Sequence, residues 1–228
     1  MVKQRFFITG TDTDAGKTIC TSALLLKAQQ AGLTTLGLKP VAAGCEDHGE
    51  GLQNSDALMH MQYSTEKLPY MQVNPIALEE PIAPHIAAQH IQKPLSAQRT
   101  VGLLRGVLMI NKANFICIEG AGGWRVPLNL NETFADIPKE LQTPVIIVVG
   151  MKLGCINHAL LTYEAIKRDG LEVAGWIANR VEPEMLAYEE NLETLQAMIK
   201  APFLGEVPHL ANMDIEKVAE ALTLPASA

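Results

Sequence analysis

Hydrophobic residues along this chain fall into two alternating patterns. Six short runs, at residues 5–9, 34–38, 114–118, 144–149, 173–178 and 203–207, are mostly apolar or β-branched, as strands buried on both faces of a parallel sheet read. Between them, residues 18–30, 96–111, 156–168, 184–199 and 214–222 carry apolar positions at helical spacing, and another helix begins near Asn54 and Ser55. Gly32 and Pro40 close the first helix and the second strand. Residues 63–94 are broken by Pro69, Pro75, Pro81 and Pro84, which predicts only short elements there, and residues 119–143 read as a loop with a short helix. Strands separated by helices require crossover connections. The pattern predicts one α/β domain over residues 1–228, with a mostly parallel sheet and helices on both faces.

Composition narrows the partners. With 48% hydrophobic and 19% charged residues, the 228-residue chain has enough apolar surface for a sizeable core. Eighteen basic side chains face 25 acidic ones, for a net charge of -7 without any Lys/Arg run; a nucleic-acid or anionic-membrane surface is not expected. No run approaches the roughly 20 apolar residues of a membrane span, and residues 145–149 lie between Pro144 and Gly150 at strand length. The opening Met1-Val2-Lys3-Gln4-Arg5 does not read as a secretory signal. Cys20, Cys45, Cys117 and Cys155 form no C-x-x-C pair, so reduced thiols in a cytoplasmic protein are expected.

The strongest chemical signal is Gly10-Thr11-Asp12-Thr13-Asp14-Ala15-Gly16-Lys17-Thr18, which follows a strand and opens a helix. In that setting backbone N–H groups and a helix N-terminus converge on an anion, as in a phosphate-binding P-loop. Lys17 is then placed along the β- and γ-phosphates and the Thr18 hydroxyl toward Mg²⁺. The loop is a variant, because its first glycine stands at position 10 and Thr11 takes the usual glycine position. Asp12 and Asp14 are unusual beside polyphosphate; one can turn away to accept backbone N–H bonds, or face a cation or substrate amine.

Other candidates sit where strands end. Glu119 is read as closing the strand at 114–118 and opening Gly120-Ala121-Gly122-Gly123, where backbone can approach a ligand. Asp56 follows Asn54-Ser55, either as a cation ligand or as an acid favoured by a helix start. Lys39, past the second strand, is a second ammonium for charge developed in phosphoryl transfer. Asn179 is read as a base-reading amide and Arg180 as stacking on that base; without an N-K-x-D string, ATP is favoured over a guanine nucleotide. His48, His60, His90 and His209 are read as surface groups or loop anchors, and His85 and His158 as hydrogen-bonded structural residues.

Taken in order, the phosphate loop, Lys39-Pro40-Val41-Ala42, Asn54-Ser55-Asp56, Glu119-Gly120-Ala121-Gly122-Gly123-Trp124, the segment from Val149 through Lys152-Leu153-Gly154-Cys155-Ile156-Asn157 to His158, Gly175-Trp176-Ile177-Ala178-Asn179, and Leu204-Gly205-Glu206-Val207-Pro208 resemble the dethiobiotin synthetase family over residues 5–210. The resemblance implies ATP-dependent carboxylation and ring closure of 7,8-diaminononanoate with CO₂. Dethiobiotin, ADP and phosphate are the implied products, formed through a carbamate and a carbamic-phosphoric anhydride. It implies Lys17, Lys39 and Thr11 as catalytic groups, and Mg²⁺ on Thr18, Asp56 and Glu119. ATP would meet Asp14, Ala15, Gly16, Lys17, Thr18, Ile19, Asp56, Glu119, Gly120, Ala121, Gly122, Asn179, Arg180, Pro208, His209 and Leu210, with Asp214 or Glu216 near the ribose. Asp12, Lys39 and Ala43 would meet the diamine. Backbone N–H groups of Gly154, Cys155, Ile156 and Asn157 would receive its carboxylate across a homodimer interface.

Two departures stand out. Ala43 replaces a family Ser or Thr, and Arg180 replaces a residue that is often Asp or another small polar group. A partition-type ATPase is the competing class; Thr11 and Asp12 early in the loop, and a tail from 214 to 228 with three acids and one lysine, argue against it. A glutamine-dependent amidating relative would need a further domain, for which 228 residues leave no room.

Overall fold

The computed structural model describes residues 3–210, 212 and 214–226; residues 1–2, 211, 213 and 227–228 of the expected 1–228 domain lie outside the described residues. In chain order the elements begin β1 (Gln4–Gly10), α1 (Lys17–Gln30), β2 (Thr35–Leu38), β3 (Val41–Ala42), β4 (Glu46–Asp47), β5 (Leu52–Gln53) and α2 (Ser55–Gln62). They continue through α3 (Tyr70–Val73), β6 (Ile76–Ala77), α4 (Pro84–His90), α5 (Ala97–Ile110), β7 (Phe115–Gly123) and α6 (Asp136–Leu141). The last are β8 (Val145–Met151), α7 (Cys155–Arg168), β9 (Val173–Arg180), α8 (Tyr188–Met198), β10 (Phe203–Val207) and α9 (Ile215–Ala221).

The main sheet has the order β10-β9-β8-β1-β7-β2, with every neighbouring pair parallel. Side chains alternate faces along each strand, and the sequence supplies an apolar residue to both. Phe7, Leu36, Leu38, Ile147 and Val149 pack with α5, α7 and α8 through Leu104, Ile166 and Leu195. Phe6, Ile8, Ile146, Val148 and Ile177 pack on the other face with Leu24 and Leu25 of α1 and Val218 of α9. Each such side chain contributes roughly 1.5–3 kcal/mol by leaving water, which explains why β8 tolerates no polar residue along its fully buried length.

Three boundaries differ from the expectation. β7 does not stop at 118: Glu119 pairs in register with Ile8, and the strand reaches Gly123 opposite Gly10 after a register shift, so Glu119 lies inside the sheet. β9 runs to Arg180, because Gly150 and Met151 of β8 pair with Asn179 and Arg180. α8 starts only at Tyr188, after Ala187 adopts a left-handed conformation with φ 54° that interrupts helix geometry. The Pro-broken stretch holds only α3, β6 and α4, as its prolines predict.

β1 lies between β8 and β7, while the chain from α1 returns to β2 at the sheet edge. The loop after β1 therefore opens at the carboxyl edge where strand connections diverge, the place where open parallel sheets bind ligands.

Candidate functional site

The loop from Gly10 to Thr18 is tied down at both ends. Thr11 N–H donates to Val148 O at 3.0 Å, and Gly150 N–H donates to Thr11 Oγ1 at 3.2 Å. Asn179 Nδ2 donates to Ala15 O at 2.9 Å. Gly16 has φ 89°, and a Cβ there would come within 2.0 Å of Asn179 Nδ2; only glycine meets both demands. Asp14 holds φ 58° in the same loop, a region that Asp tolerates better than most residues. α1 begins after Gly16 with no side-chain cap, which leaves its first N–H groups and positive dipole end for an anion.

Two lysines enter this space. Lys17 is buried and its Nζ donates to Asp12 O at 3.1 Å; burial lowers its pKa, with the nearby Lys39 charge acting in the same direction. Lys39, buried as well, places Nζ 2.8 Å from Asp56 Oδ2 and 2.5 Å from Glu119 Oε1, and donates to Gly120 O at 3.2 Å. Burial works against its charge, but Glu119 and Asp56 outweigh it and hold the pKa above the ordinary lysine value. Glu119 is fully buried. Burial alone would raise its pKa, yet Lys39 and His60 hold it far below the usual carboxylate range. The Thr18 hydroxyl donates to the same Oε1 at 3.0 Å.

The elements that carry these groups are cross-braced. Asn54 caps α2 by accepting from Asp56 N and Ala57 N, which sets Asp56 at the helix start. Asn54 N–H donates to Tyr70 Oη at 2.7 Å, Tyr70 donates to Asn74 Oδ1 at 2.8 Å, and Asn74 Nδ2 donates to Lys39 O at 2.6 Å. A continuous chain of hydrogen bonds thus links the backbone of Lys39 to the cap that places Asp56.

Lys17, Thr18, Lys39, Asn54, Asp56 and Glu119 line a cavity of about 840 Å³ that also includes Asp14, Gly16, Ile19, Ala43, Ala121 and Gly122. The volume suits a nucleotide with a small co-substrate. Thr18 Oγ1, Asp56 and Glu119 supply hard oxygens, and the Lys39 ammonium between the two carboxylates shows that this position balances negative charge with a cation. The set fits Mg²⁺, which takes few protein oxygens and keeps water and phosphate ligands. Among the described residues no group of three or more His, Cys, Asp or Glu is arranged to hold a metal.

Other anticipated residues lie elsewhere. Asp12 turns toward Lys152, 3.1 Å away, and that hydrogen bond lowers its pKa. Gly154, Cys155, Ile156 and Asn157 open α7 and do not line the cavity; Gly154 has φ 93° and the helix has no side-chain cap. Pro208 and His209 are exposed, and Leu210 packs against the α1 side of the core. Asp214 caps α9 through Lys217 N.

Arg180 lies 3.6 Å over the Tyr188 ring, between Glu189 and Glu206 at 3.4 and 3.5 Å, so one face of its guanidinium is already occupied. One reading is corrected. His60 is neither a surface group nor a loop anchor: it is fully buried, with Nε2 at 2.9 Å from Glu119 Oε2. Its signal in the sequence is the i, i+4 spacing from Asp56, which puts both on one face of α2.

Comparison with known proteins places this geometry. The family described as AAA domain matches residues 4–217. The chain is 54% identical over 224 residues to the ATP-dependent dethiobiotin synthetase BioD of Cellvibrio japonicus, covering 98% of this chain and 97% of that one. It is 52% identical to the protein of the same name from Marinobacter nauticus, covering 98% and 95%. Among solved structures, a ParA family ATPase from Chlorobium tepidum shares the fold with a TM-score of 0.55 at 13% identity, covering 96% of this chain and 91% of that one. With a P-loop fold, paired buried lysines at its mouth and half of all positions shared along nearly the full length, the chain belongs to the dethiobiotin synthetase family.

Proposed function

We propose that the chain, acting as one ATP-binding ligase domain over residues 1–228, closes a cyclic urea on 7,8-diaminononanoate with CO₂ and MgATP, releasing dethiobiotin, ADP and phosphate. The observation that carries this reading is the convergence of Lys17 and Lys39 with Thr18, Asp56 and Glu119 on one cavity at the end of β1. Two buried ammonium groups suit a reaction that gathers negative charge on a phosphoryl group and a carboxylated amine.

One amine of the substrate adds to CO₂ and loses a proton to become a carbamate. A carbamate oxygen then bonds to the γ-phosphorus of ATP while the bond to the leaving ADP oxygen breaks. The second amine attacks the carbonyl carbon of the resulting anhydride, phosphate departs with the bonding pair, and the amine proton is lost to solvent. Lys17 and Lys39 hold the oxygens on which charge accumulates, and the Thr11 hydroxyl, already accepting from Gly150, still has a proton to donate. Mg²⁺ on Thr18, Asp56 and Glu119 would neutralise phosphate charge.

Ala15, Gly16 and Ile19 frame the phosphates with the loop backbone, and Gly120 to Gly122 form the facing wall. Asn179 has its Nδ2 committed to Ala15; its carbonyl oxygen is the group left to accept from the adenine amino group, beside Pro208, His209 and Leu210. Asp12 and the backbone at Ala43 would meet the diamine. Cys155 N–H is bonded to Lys152 O at 2.9 Å, and the other N–H groups from Gly154 to Asn157 at this helix start are suited to the substrate carboxylate. Because they lie outside the cavity of their own chain, they would serve the site of a second copy, making the active form a homodimer. Among the described residues no helix is long and apolar enough to cross a membrane, in keeping with a cytoplasmic enzyme.

The test is ADP release by purified protein with MgATP and bicarbonate, with and without the diamine, alongside mass detection of the ureido product. Diamine-dependent turnover with dethiobiotin formed is expected. ATP hydrolysis indifferent to the diamine overturns the reading.

A further inference from the structure

His60 sits behind the cavity, out of reach of any substrate. It is fully buried, as is its neighbour Glu119. A carboxylate removed from water needs partners at both oxygens. Oε1 receives the Thr18 hydroxyl and Lys39 Nζ, whereas Oε2 has no partner at hydrogen-bond geometry among the described residues and faces His60 Nε2 at 2.9 Å.

The surrounding fold is shaped to hold that imidazole. β2 carries Gly37 directly beneath it, where a Cβ would come within 2.8 Å of both His60 Cβ and Leu25 Cδ1. Ser64 Oγ donates to His60 O at 2.6 Å and accepts from Gly37 N–H at 2.9 Å, clamping the end of α2 to β2. Neither imidazole nitrogen meets hydrogen-bond geometry with a partner among the described residues, a cost that an apolar residue of similar size would avoid, and what Nε2 has is the close charge contact with Glu119 Oε2 at 2.9 Å. Only the Glu119 side of the ring offers a return.

We propose that His60 is a positioning residue for the cation site: it holds Glu119 Oε2 from behind, so that Oε1 stays turned toward Thr18 and the phosphate loop. Asp56 and His60, one helical turn apart on α2, then let a single helix deliver one carboxylate of the site and orient the other. This inference rests on the proposed assignment of Glu119 as a cation ligand. Groups that orient a metal-ligating side chain commonly control its affinity as strongly as some ligands do.

The test uses Mn²⁺ as the probe, followed by its electron paramagnetic resonance signal in the presence of ATP, on full-length wild type and variants. ATP binding in EDTA and thermal stability are measured alongside. His60→Gln extends an amide nitrogen to about the reach of Nε2, His60→Asn stops short, and His60→Met fills the volume without a donor. Expected is a loss of Mn²⁺ affinity of about 10–100-fold in His60→Asn and His60→Met, largely restored in His60→Gln, with ATP binding in EDTA unchanged. A folded His60→Asn or His60→Met with wild-type Mn²⁺ affinity overturns the proposal. So does an equal loss in His60→Gln and the other two that tracks their thermal stability, which marks packing alone. A Glu119→Gln protein that binds Mn²⁺ like wild type would instead overturn the assignment of Glu119 itself.

Discussion

Lys39 Nζ lies 2.5 Å from Glu119 Oε1, with side-chain exposures of 5% and 0%. Glu119 lies in β7 and Lys39 directly follows β2, whose register ends with Leu38 opposite Ile118, so the pairing of these adjacent strands brings the two together. Removing one partner of a buried pair leaves the other charge uncompensated, at a cost of about 3–5 kcal/mol. Lys39→Ala is expected to lose stability in that range by urea unfolding, and to lose at least about a thousandfold in turnover if the lysine also stabilises transferred charge. Unchanged stability would show that Glu119 finds another partner.

The same pair sets a pH dependence. The folded pKa of Glu119 is depressed below its ordinary 4.5, so its contribution to stability is present above that value and is lost as pH falls below it. Lys39 is raised above its ordinary 10.5; its contribution is complete below that value and is lost as pH rises beyond it. Urea midpoints of the wild type should therefore decline on the acid side of about pH 4.5 more steeply than those of Glu119→Gln. Parallel profiles would remove the carboxylate from the acid transition.

Gly37→Ala forces a methyl group to within 2.8 Å of His60 Cβ and Leu25 Cδ1. Overpacking of this kind costs about 1–3 kcal/mol. Because α2 carries both His60 and Asp56, the affinity for MgATP should fall together with the melting temperature, measured by calorimetry on the same samples.

Asn179→Ala removes the tether from β9 to Ala15 O. An unsatisfied buried carbonyl costs about 1–3 kcal/mol, and the loosened phosphate loop should raise the KM for ATP by about tenfold or more. A variant that loses stability but keeps its KM would confine Asn179 to the fold.

Arg180→Ala gives the opposite contrast. Its cation–π contact with Tyr188 is partly exposed and is worth about 0.5–1 kcal/mol. Expected is a small stability loss with the KM for ATP changed by less than about threefold; a large KM change would return Arg180 to the nucleotide.

Local order was readable because it is written in local chemistry. The apolar run in β8, the glycine and lysine before α1 and the prolines between 63 and 94 each restrict nearby backbone or demand burial on their own. Glu119 and Arg180 were placed less well. Strand ends depend on partners: Glu119 belongs to β7 because Ile8 lies opposite it, and nothing adjacent to Glu119 in the chain says so.

The sequence by itself determined the alternation of buried strands and helices, the anion-binding loop at the first helix and the residue types that phosphate chemistry requires. Tertiary structure alone decided that Lys39, Asp56, Thr18 and Glu119 share one cavity, that Arg180 stacks on Tyr188, and that His60 stands behind Glu119. The physical reason is range. Backbone preference and hydrophobic period act within a few residues, whereas a buried ion pair spanning 80 positions of sequence exists only once parallel strands have brought distant segments into register and excluded water between them.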